Sequence, residues 1–151
     1  MKCASHILLF FFGVMSLMAC SRSDSPTKQP NANEPSVNYV RPGSEGGNTA
    51  AYFSYINPLN IPDTLISVSA DYSSISQVHE SYKTEDGLYG MREVKKPVIG
   101  PNDTLHLQQG GTHIMLIGLR QNLASGDSVE VKLEFSQSGG VIQRLPVRSN
   151  R

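Results

Sequence analysis

The feature of this sequence that most restricts its fold is a strict alternation of apolar and polar residues between Ser128 and Phe135. Valine, leucine and phenylalanine occupy every second position, and serine, glutamate and lysine occupy the others. Successive side chains of a β-strand point to opposite faces, so the pattern predicts a strand with one buried face and one solvated face. Such a strand needs other strands beside it to bury its apolar side chains.

Further segments have the composition of short strands and are separated by Gly, Pro, Asn or Asp. They are 49–56, 64–70, 75–82, 88–94, 104–107, 113–119 and 141–147. No window has a helical period, because Gly or Pro interrupts almost every apolar run. We therefore predict an all-β domain of Greek-key type, either a sandwich or a barrel.

The N-terminal residues are typical of an export signal. The apolar run 7–19 is shorter than the roughly 20 residues that a membrane-spanning helix needs. The sequence LMAC at 17–20 resembles the lipobox of bacterial lipoproteins, although Met18 is unusual at its position. We expect a lipoprotein signal peptide over 1–19 and a lipid on Cys20, which would anchor the exported protein to a membrane facing the periplasm or cell surface. The alternative is an ordinary cleavage site near Cys20.

The remaining chain divides into a tether and a domain. Residues 20–36 are rich in Ser, Pro, Asn and charge and have no apolar periodicity, so we expect a disordered tether. Residues 37–148 have the usual length of one domain with its own core. We expect this domain to carry the function.

Composition excludes several classes of function. Cleavage would remove Cys3 and the lipid would consume Cys20, which leaves no thiol for a disulfide, a zinc thiolate, a nucleophile or a blue-copper site. The 13 basic and 13 acidic residues form no long block, and no Gly-rich phosphate loop is present. We therefore do not expect nucleic acid as a partner. The sequence also has no recognisable set of acid, base and nucleophile, so we do not expect enzymatic activity.

Two histidines and two methionines form the strongest functional signal: His79, Met91, His113 and Met115. After loss of the leader, Met91 and Met115 are the only methionines of the chain. His113 and Met115 are two residues apart on one predicted strand, so their side chains share a face while Ile114 points away. Thioether sulfur with imidazole selects monovalent copper over harder ions, so the pattern favours Cu(I).

Each of these residues taken alone has a simpler explanation. A methionine in a β-domain usually fills the core, and a histidine on a strand is more often exposed or hydrogen-bonded than a metal ligand. His106 has no methionine beside it, and we assign it to the surface. Glu80 must face away if His79 faces the site.

The chain resembles the PCu(A)C family of periplasmic copper chaperones. The resemblance rests on the spacing of the two histidines and two methionines, on GTHIMLIGL at 111–119, on GDSV at 126–129 and on YVRP at 39–42, and it covers about 38–147. It implies a cupredoxin-like β-sandwich that binds one Cu(I) through two Met and two His. Carried over to this chain, those ligands are His79, Met91, His113 and Met115.

The chain departs from the family pattern at two places. Many members have Met directly after the first His, where this chain has Glu80, so an auxiliary thioether is missing. Some members carry a His- and Met-rich C-terminal tail for Cu(II), whereas this chain has RSNR at 148–151. We expect no second copper site.

The resemblance implies an exported metallochaperone that delivers Cu(I) by ligand exchange for assembly of the copper site of a respiratory oxidase. Its partners would be a thioredoxin-fold copper-transfer protein or the oxidase copper subunit, and the lipid anchor would be its only membrane contact. One alternative is a copper-buffering or resistance lipoprotein. Another is a metal-free β-sandwich surface module in which Met91 and Met115 fill the core.

A shared metal site also constrains the hairpin between the strands of His79 and Met91. A two-residue turn at 86–87 would pair Met91 with Tyr82 and place it on the face opposite His79. We therefore predict an odd-numbered loop, a β-bulge, or one of the two residues outside regular pairing.

Lipidation of Cys20 gives the first testable prediction. The mature protein should partition into detergent and incorporate a fatty-acid analogue, and Cys20→Ser should abolish both, because the thiol is the attachment point. Labelling that persists in Cys20→Ser would contradict the anchor.

Overall fold

The computed structural model of the protein describes residues 38–149, so the expected signal peptide 1–19, the tether 20–36 and Cys20 lie outside the described residues. The described chain forms strands and no helix, and hence no helix that could cross a membrane. The strands are β1 Tyr39–Val40, β2 Thr49–Ile56, β3 Asp63–Ala70, β4 Ser73–Lys83, β5 Tyr89–Glu93, β6 Val98–Ile99, β7 Thr104–Leu107, β8 Thr112–Leu119, β9 Ser128–Phe135 and β10 Gly139–Pro146.

The strands form two antiparallel sheets. The larger sheet has the order β1-β2-β8-β4-β5, with β7 paired to the second half of β2, and the smaller sheet has the order β10-β9-β3-β6. Strands that are remote in sequence, such as β2 and β8 or β3 and β9, lie side by side, so the connections cross between the sheets. The predicted all-β Greek-key sandwich is confirmed. Each predicted segment is a strand, while the two-residue strands β1 and β6 were not predicted.

The core lies between the two sheets. The apolar face of β9 is fully buried, with Val129, Val131 and Leu133 at 0% exposure, as its alternation predicts. Phe135 stacks on Tyr55 of the larger sheet with ring centroids 4.3 Å apart. Burial of this apolar surface, at roughly 25 cal/mol per Å², is the main force that holds the sheets together. The larger sheet therefore has an inner face committed to the core and an outer face available for other side chains.

A buried carboxylate ties the smaller sheet to one of its own turns. Asp63, at the start of β3, accepts hydrogen bonds from the hydroxyl of Ser136 at 2.9 Å, from the backbone N–H groups of Gln137 and Ser138 at 2.9 Å each, and from the Ser138 hydroxyl at 2.5 Å. Burial alone would raise the pKa of Asp63, but these hydrogen bonds outweigh it and hold that pKa far below its usual range. The ionised carboxylate clamps the β9–β10 turn to β3.

Replacement of this carboxylate tests the clamp. Asp63→Asn should lower the free energy of unfolding by about 3 kcal/mol at neutral pH, because buried donors lose a charged acceptor. Because the pKa of Asp63 is lower in the folded state than its unfolded value of 3.8, the carboxylate stabilises the protein at higher pH. The difference in the free energy of unfolding between the unsubstituted protein and Asp63→Asn should therefore narrow as the pH falls through and below 3.8. Urea unfolding at several pH values measures it.

The control variant is Asp71→Asn, in the exposed turn between β3 and β4, which should change the stability by less than about 0.5 kcal/mol. Equal effects of the two substitutions would contradict the clamp.

Candidate metal centre

The β4–β5 hairpin sets the face on which Met91 lies. Lys83 pairs with Tyr89 and Ser81 pairs with Met91, so the connecting loop comprises residues 84–88. Ser81 is two residues from His79 on β4, and the side chain of Met91 therefore shares the face of His79. Of the three predicted alternatives, the hairpin has the odd-numbered loop.

Local hydrogen bonds close this loop. The backbone N–H of Thr84 donates to the Leu88 carbonyl at 2.8 Å, and the Leu88 N–H donates to the Thr84 hydroxyl at 3.0 Å. Gly87 adopts a φ of 84°, a left-handed conformation that glycine accommodates without strain. These contacts fix the register that brings Met91 beside Ser81.

The other two predicted ligands lie on the neighbouring strand. His113 on β8 is directly opposite His79 on β4, and Met115 is opposite Gln77. Ile114, between them, is fully buried in the core, as the alternation predicts. The four predicted residues thus share the outer face of the larger sheet, spread over three adjacent strands, β5, β4 and β8.

A row of rings crosses this outer face. The centroids of Tyr39 and Tyr52 are 5.0 Å apart, those of Tyr52 and His113 are 6.1 Å apart, and those of His113 and His79 are 6.2 Å apart. Glu93, opposite His79 on β5, ends the row. The rings on either side leave His113 only 4% exposed. His113 is therefore buried although it lies outside the main core.

Each imidazole has one nitrogen held by a hydrogen bond. Nδ1 of His113 is 3.0 Å from the carbonyl oxygen of Gly111, which can only accept, so Nδ1 carries the hydrogen and Nε2 has the free lone pair. Nε2 of His79 is 3.1 Å from the side-chain oxygen of Gln77, which leaves Nδ1 as its free nitrogen. Contacts of this kind fix the tautomer and orientation of metal-binding histidines.

The two thioethers differ in exposure. Met91, His113 and Met115 line one cavity of about 370 Å³, whereas His79 is not on its wall and joins the site through the ring row. The side chain of Met91 is 57% exposed. Met115 is half-buried against the cluster of Tyr39, Ala50 and Tyr52, which is separate from the main core.

Burial lowers the pKa of His79 below its ordinary value of 6.5, because it disfavours the charged imidazolium. The neighbouring His113 lowers the pKa further, and the carboxylate of Glu93 acts in the opposite direction. His79 is consequently neutral at physiological pH, which is the form that can donate a lone pair to a metal.

Two further residues of the sequence analysis lie away from the site. His106, on β7, is exposed, with Nδ1 3.4 Å from the Ser54 hydroxyl, and its assignment to the surface is confirmed. Glu80 points to the other face of β4, as predicted, and forms an ion pair with Arg92 at 2.5 Å. Within residues 38–149, no three His, Cys, Asp or Glu side chains converge as a metal site.

Sequence reasoning missed the residues that support the predicted ligands. Gln77 lies two positions before His79, so the strand period alone indicates that it shares the face. Tyr52 and the Gly111 carbonyl have no comparable signal, since their positions depend on strand pairing and on a loop conformation.

The four side chains together determine which kind of metal ion the group could bind. An imidazole that ligates a metal does so in its uncharged form, and a thioether is both uncharged and soft. The set of two imidazoles and two thioethers therefore suits a soft ion of low charge better than a hard divalent ion. The exposed thioether of Met91 leaves one side of the group accessible from solvent.

The fold is that of the PCuAC domains, as the resemblance predicts. The copper-bound PCuAC domain from PmoF2 matches with a TM-score of 0.59 and 20% identity over 74% of this chain and 88% of that domain. The Cu(I)-bound DR1885 protein from Deinococcus radiodurans matches with a TM-score of 0.55 and 24% identity over 79% of this chain and 83% of that protein. The class defined by fold and site is therefore a PCuAC-type β-sandwich with a methionine–histidine cluster on its outer face.

The chain belongs to the family described as "Putative lipoprotein LpqE-like", which matches residues 31–147. It is 32% identical to the "Putative lipoprotein Lxx21020" of Leifsonia xyli subsp. xyli over 127 residues, which are 83% of this chain and 75% of that protein. It is also 25% identical to the "Uncharacterized protein RP573" of Rickettsia prowazekii over 126 residues, 78% of this chain and 69% of that protein.

The charges around His79 give a prediction that needs no metal. Glu93→Gln should lower the pKa of His79 further, because it removes the carboxylate that favours the imidazolium. An NMR titration of the imidazole protons measures the shift. Glu80→Gln is the control, since Glu80 faces the other side of β4 and should leave the titration of His79 unchanged. A pKa of His79 that rises in Glu93→Gln would contradict this account of the site.

Proposed function

We propose that this protein is an exported lipoprotein that binds one Cu(I) ion through His79, Met91, His113 and Met115 and passes it to other proteins. The observation that carries the proposal is the placement of two imidazoles and two thioethers on one face of adjacent strands. His113 and His79 each have one nitrogen occupied by an orienting hydrogen bond and one with a free lone pair.

The chemistry of the donors supports monovalent copper. A hard ion such as Mg²⁺ or Ca²⁺ requires oxygen ligands, and none of the four side chains supplies one. The solved domains with this fold include one bound to copper and one bound to Cu(I). Met91 is too exposed to act as core filling, which argues against a metal-free surface module.

Export and anchoring rest on the N-terminal sequence and on the relatives. The lipobox-like sequence ends at Cys20, and the matching family and the relative from Leifsonia xyli both carry the description "Putative lipoprotein". An anchored carrier would deliver its ion to acceptors at a membrane facing the periplasm or the cell surface.

The exposed edge of the site supports delivery by ligand exchange. The thiolates of an acceptor bind a soft ion more strongly than neutral thioethers do, and they can approach beside Met91, on the end strand of the sheet. We propose that the acceptors belong to the assembly of a respiratory oxidase copper site, namely a thioredoxin-fold copper-transfer protein or the oxidase copper subunit.

Alanine variants of the thioethers test the copper site. Met91→Ala and Met115→Ala should each weaken Cu(I) binding by at least about a hundredfold, since loss of an outer-shell partner alone costs roughly 10- to 100-fold. Competition with a chromogenic Cu(I) chelator measures the affinity. Met91→Ala should leave the fold unchanged, while Met115→Ala should also reduce stability slightly, because Met115 packs against the cluster of Tyr39, Ala50 and Tyr52.

His106→Ala is the matched control, because it removes an exposed histidine outside the site and should leave the affinity unchanged. Unchanged Cu(I) affinity in both methionine variants would refute the proposed site.

A further inference from the structure

The two thioethers, of Met91 and Met115, have the same chemistry but differ in exposure and in their position in the sheet. Met91 lies on β5, the end strand of the larger sheet in the described part of the chain, and 57% of it is exposed. Met115 lies on β8, which pairs with β2 on one side and β4 on the other. It is opposite Ala50 and Gln77 and packs against the cluster that contains Tyr39 and Tyr52.

The susceptibility of a thioether to oxidation increases with its exposure, since the oxidant must reach a sulfur lone pair. Reagents in solution can approach Met91 from the open edge of the sheet. The neighbouring rings and strands restrict approach to Met115. The same reagent should therefore distinguish the two sulfurs.

We propose that Met91 is the site at which peroxide-class oxidants modify this protein, and that its sulfoxide disables the metal site. With hydrogen peroxide, a lone pair of the Met91 sulfur attacks one peroxide oxygen and the O–O bond breaks. The second oxygen leaves as hydroxide, which takes the proton from the oxygen now bonded to sulfur and becomes water. Sulfur is oxidised by two electrons and the peroxide is reduced to water. The product is a methionine sulfoxide, which methionine sulfoxide reductases return to the thioether.

The fold should tolerate this change. The side chain of Met91 borders solvent and a cavity of about 370 Å³, so the added oxygen meets space and water. Met115 lines the same cavity, but it is half-buried against the cluster of Tyr39, Ala50 and Tyr52, so an oxygen on its sulfur would have less water around it. Oxidation at Met91 therefore changes the donor set without unfolding the sheet that presents it.

Oxidation of Met91 should weaken Cu(I) binding because it changes the donor atom. Oxidation consumes the soft thioether donor and presents a hard sulfoxide oxygen in its place, which suits Cu(I) poorly. This part of the inference rests on the proposed function, whereas the selectivity for Met91 over Met115 does not.

The experiment treats the metal-free full chain with limiting hydrogen peroxide and maps the oxygen uptake by mass spectrometry of peptides. Peptides separate Met91 and Met115 from Met1, Met15 and Met18 of any uncleaved leader. Met91 should be oxidised on the order of tenfold faster than Met115. Cu(I) affinity should then fall by about a hundredfold, as in loss of a ligand, while the thermal unfolding midpoint stays unchanged.

Met91→Leu is the matched variant, because leucine keeps the apolar bulk but cannot be oxidised. Met91→Leu should bind Cu(I) more weakly than the unsubstituted protein, and brief peroxide treatment should not change its affinity. Met115→Leu retains Met91, so its Cu(I) affinity should still fall on peroxide treatment.

The outcomes separate this inference from the proposed function. Equal oxidation rates at Met91 and Met115, or full Cu(I) affinity after oxidation of Met91, would overturn the inference. If the untreated protein does not bind Cu(I), the proposed function and the disabling effect of oxidation are both wrong. The selectivity of oxidation for Met91 is then tested by the peptide map alone.

Discussion

The pairing of β4 with β8 is the constraint on which the candidate site depends. It places His79 directly opposite His113 and Gln77 opposite Met115, so both imidazoles and one thioether occupy adjacent positions on one face. A slip of one residue in this register would turn the His79 side chain into the core and Val78 out to solvent. The hydrophobic core prevents that slip, because Val78, Ile114 and Leu116 are buried on the inner face of the same strands. The packing of the core thus fixes the geometry of the opposite face.

The same sheet separates stability from chemistry. Its inner face contributes to the main core, while its outer face carries Met91 and Met115 and the row of rings. Hydrogen bonds that the imidazoles donate to the Gly111 carbonyl and to the side-chain oxygen of Gln77 orient the two rings locally. Substitutions on the outer face can therefore alter the donors at small cost to folding, whereas the clamp at Asp63, in the other sheet, affects stability without touching the site.

Much of this architecture could be predicted from the sequence because its signals are local. Alternation identified β9 and the shared face of His113 and Met115. The parity argument excluded a regular two-residue turn, and the hairpin has the odd-numbered loop that was one of its predicted alternatives. What could not be predicted depends on contacts between distant segments. Tyr52 covers His113 only because β2 pairs with β8, and a single sequence contains no measure of that register. The short strands β1 and β6 carry too few residues to show any periodicity.

The donors are graded from the edge of the sheet to its centre. Met91 is 57% exposed on the end strand, His79 is intermediate on β4, and His113 is 4% exposed on β8. An incoming ligand would meet the exposed thioether of Met91 first, whereas the imidazole of His113 is buried and hydrogen-bonded to the Gly111 carbonyl. For the proposed carrier function this difference in exposure favours stepwise exchange, in which an acceptor would replace one donor at the edge while the others still hold the ion. A site with all its donors buried equally would have to open the sheet to release its ion, and the burial of Val78 and Ile114 on the inner face opposes such opening.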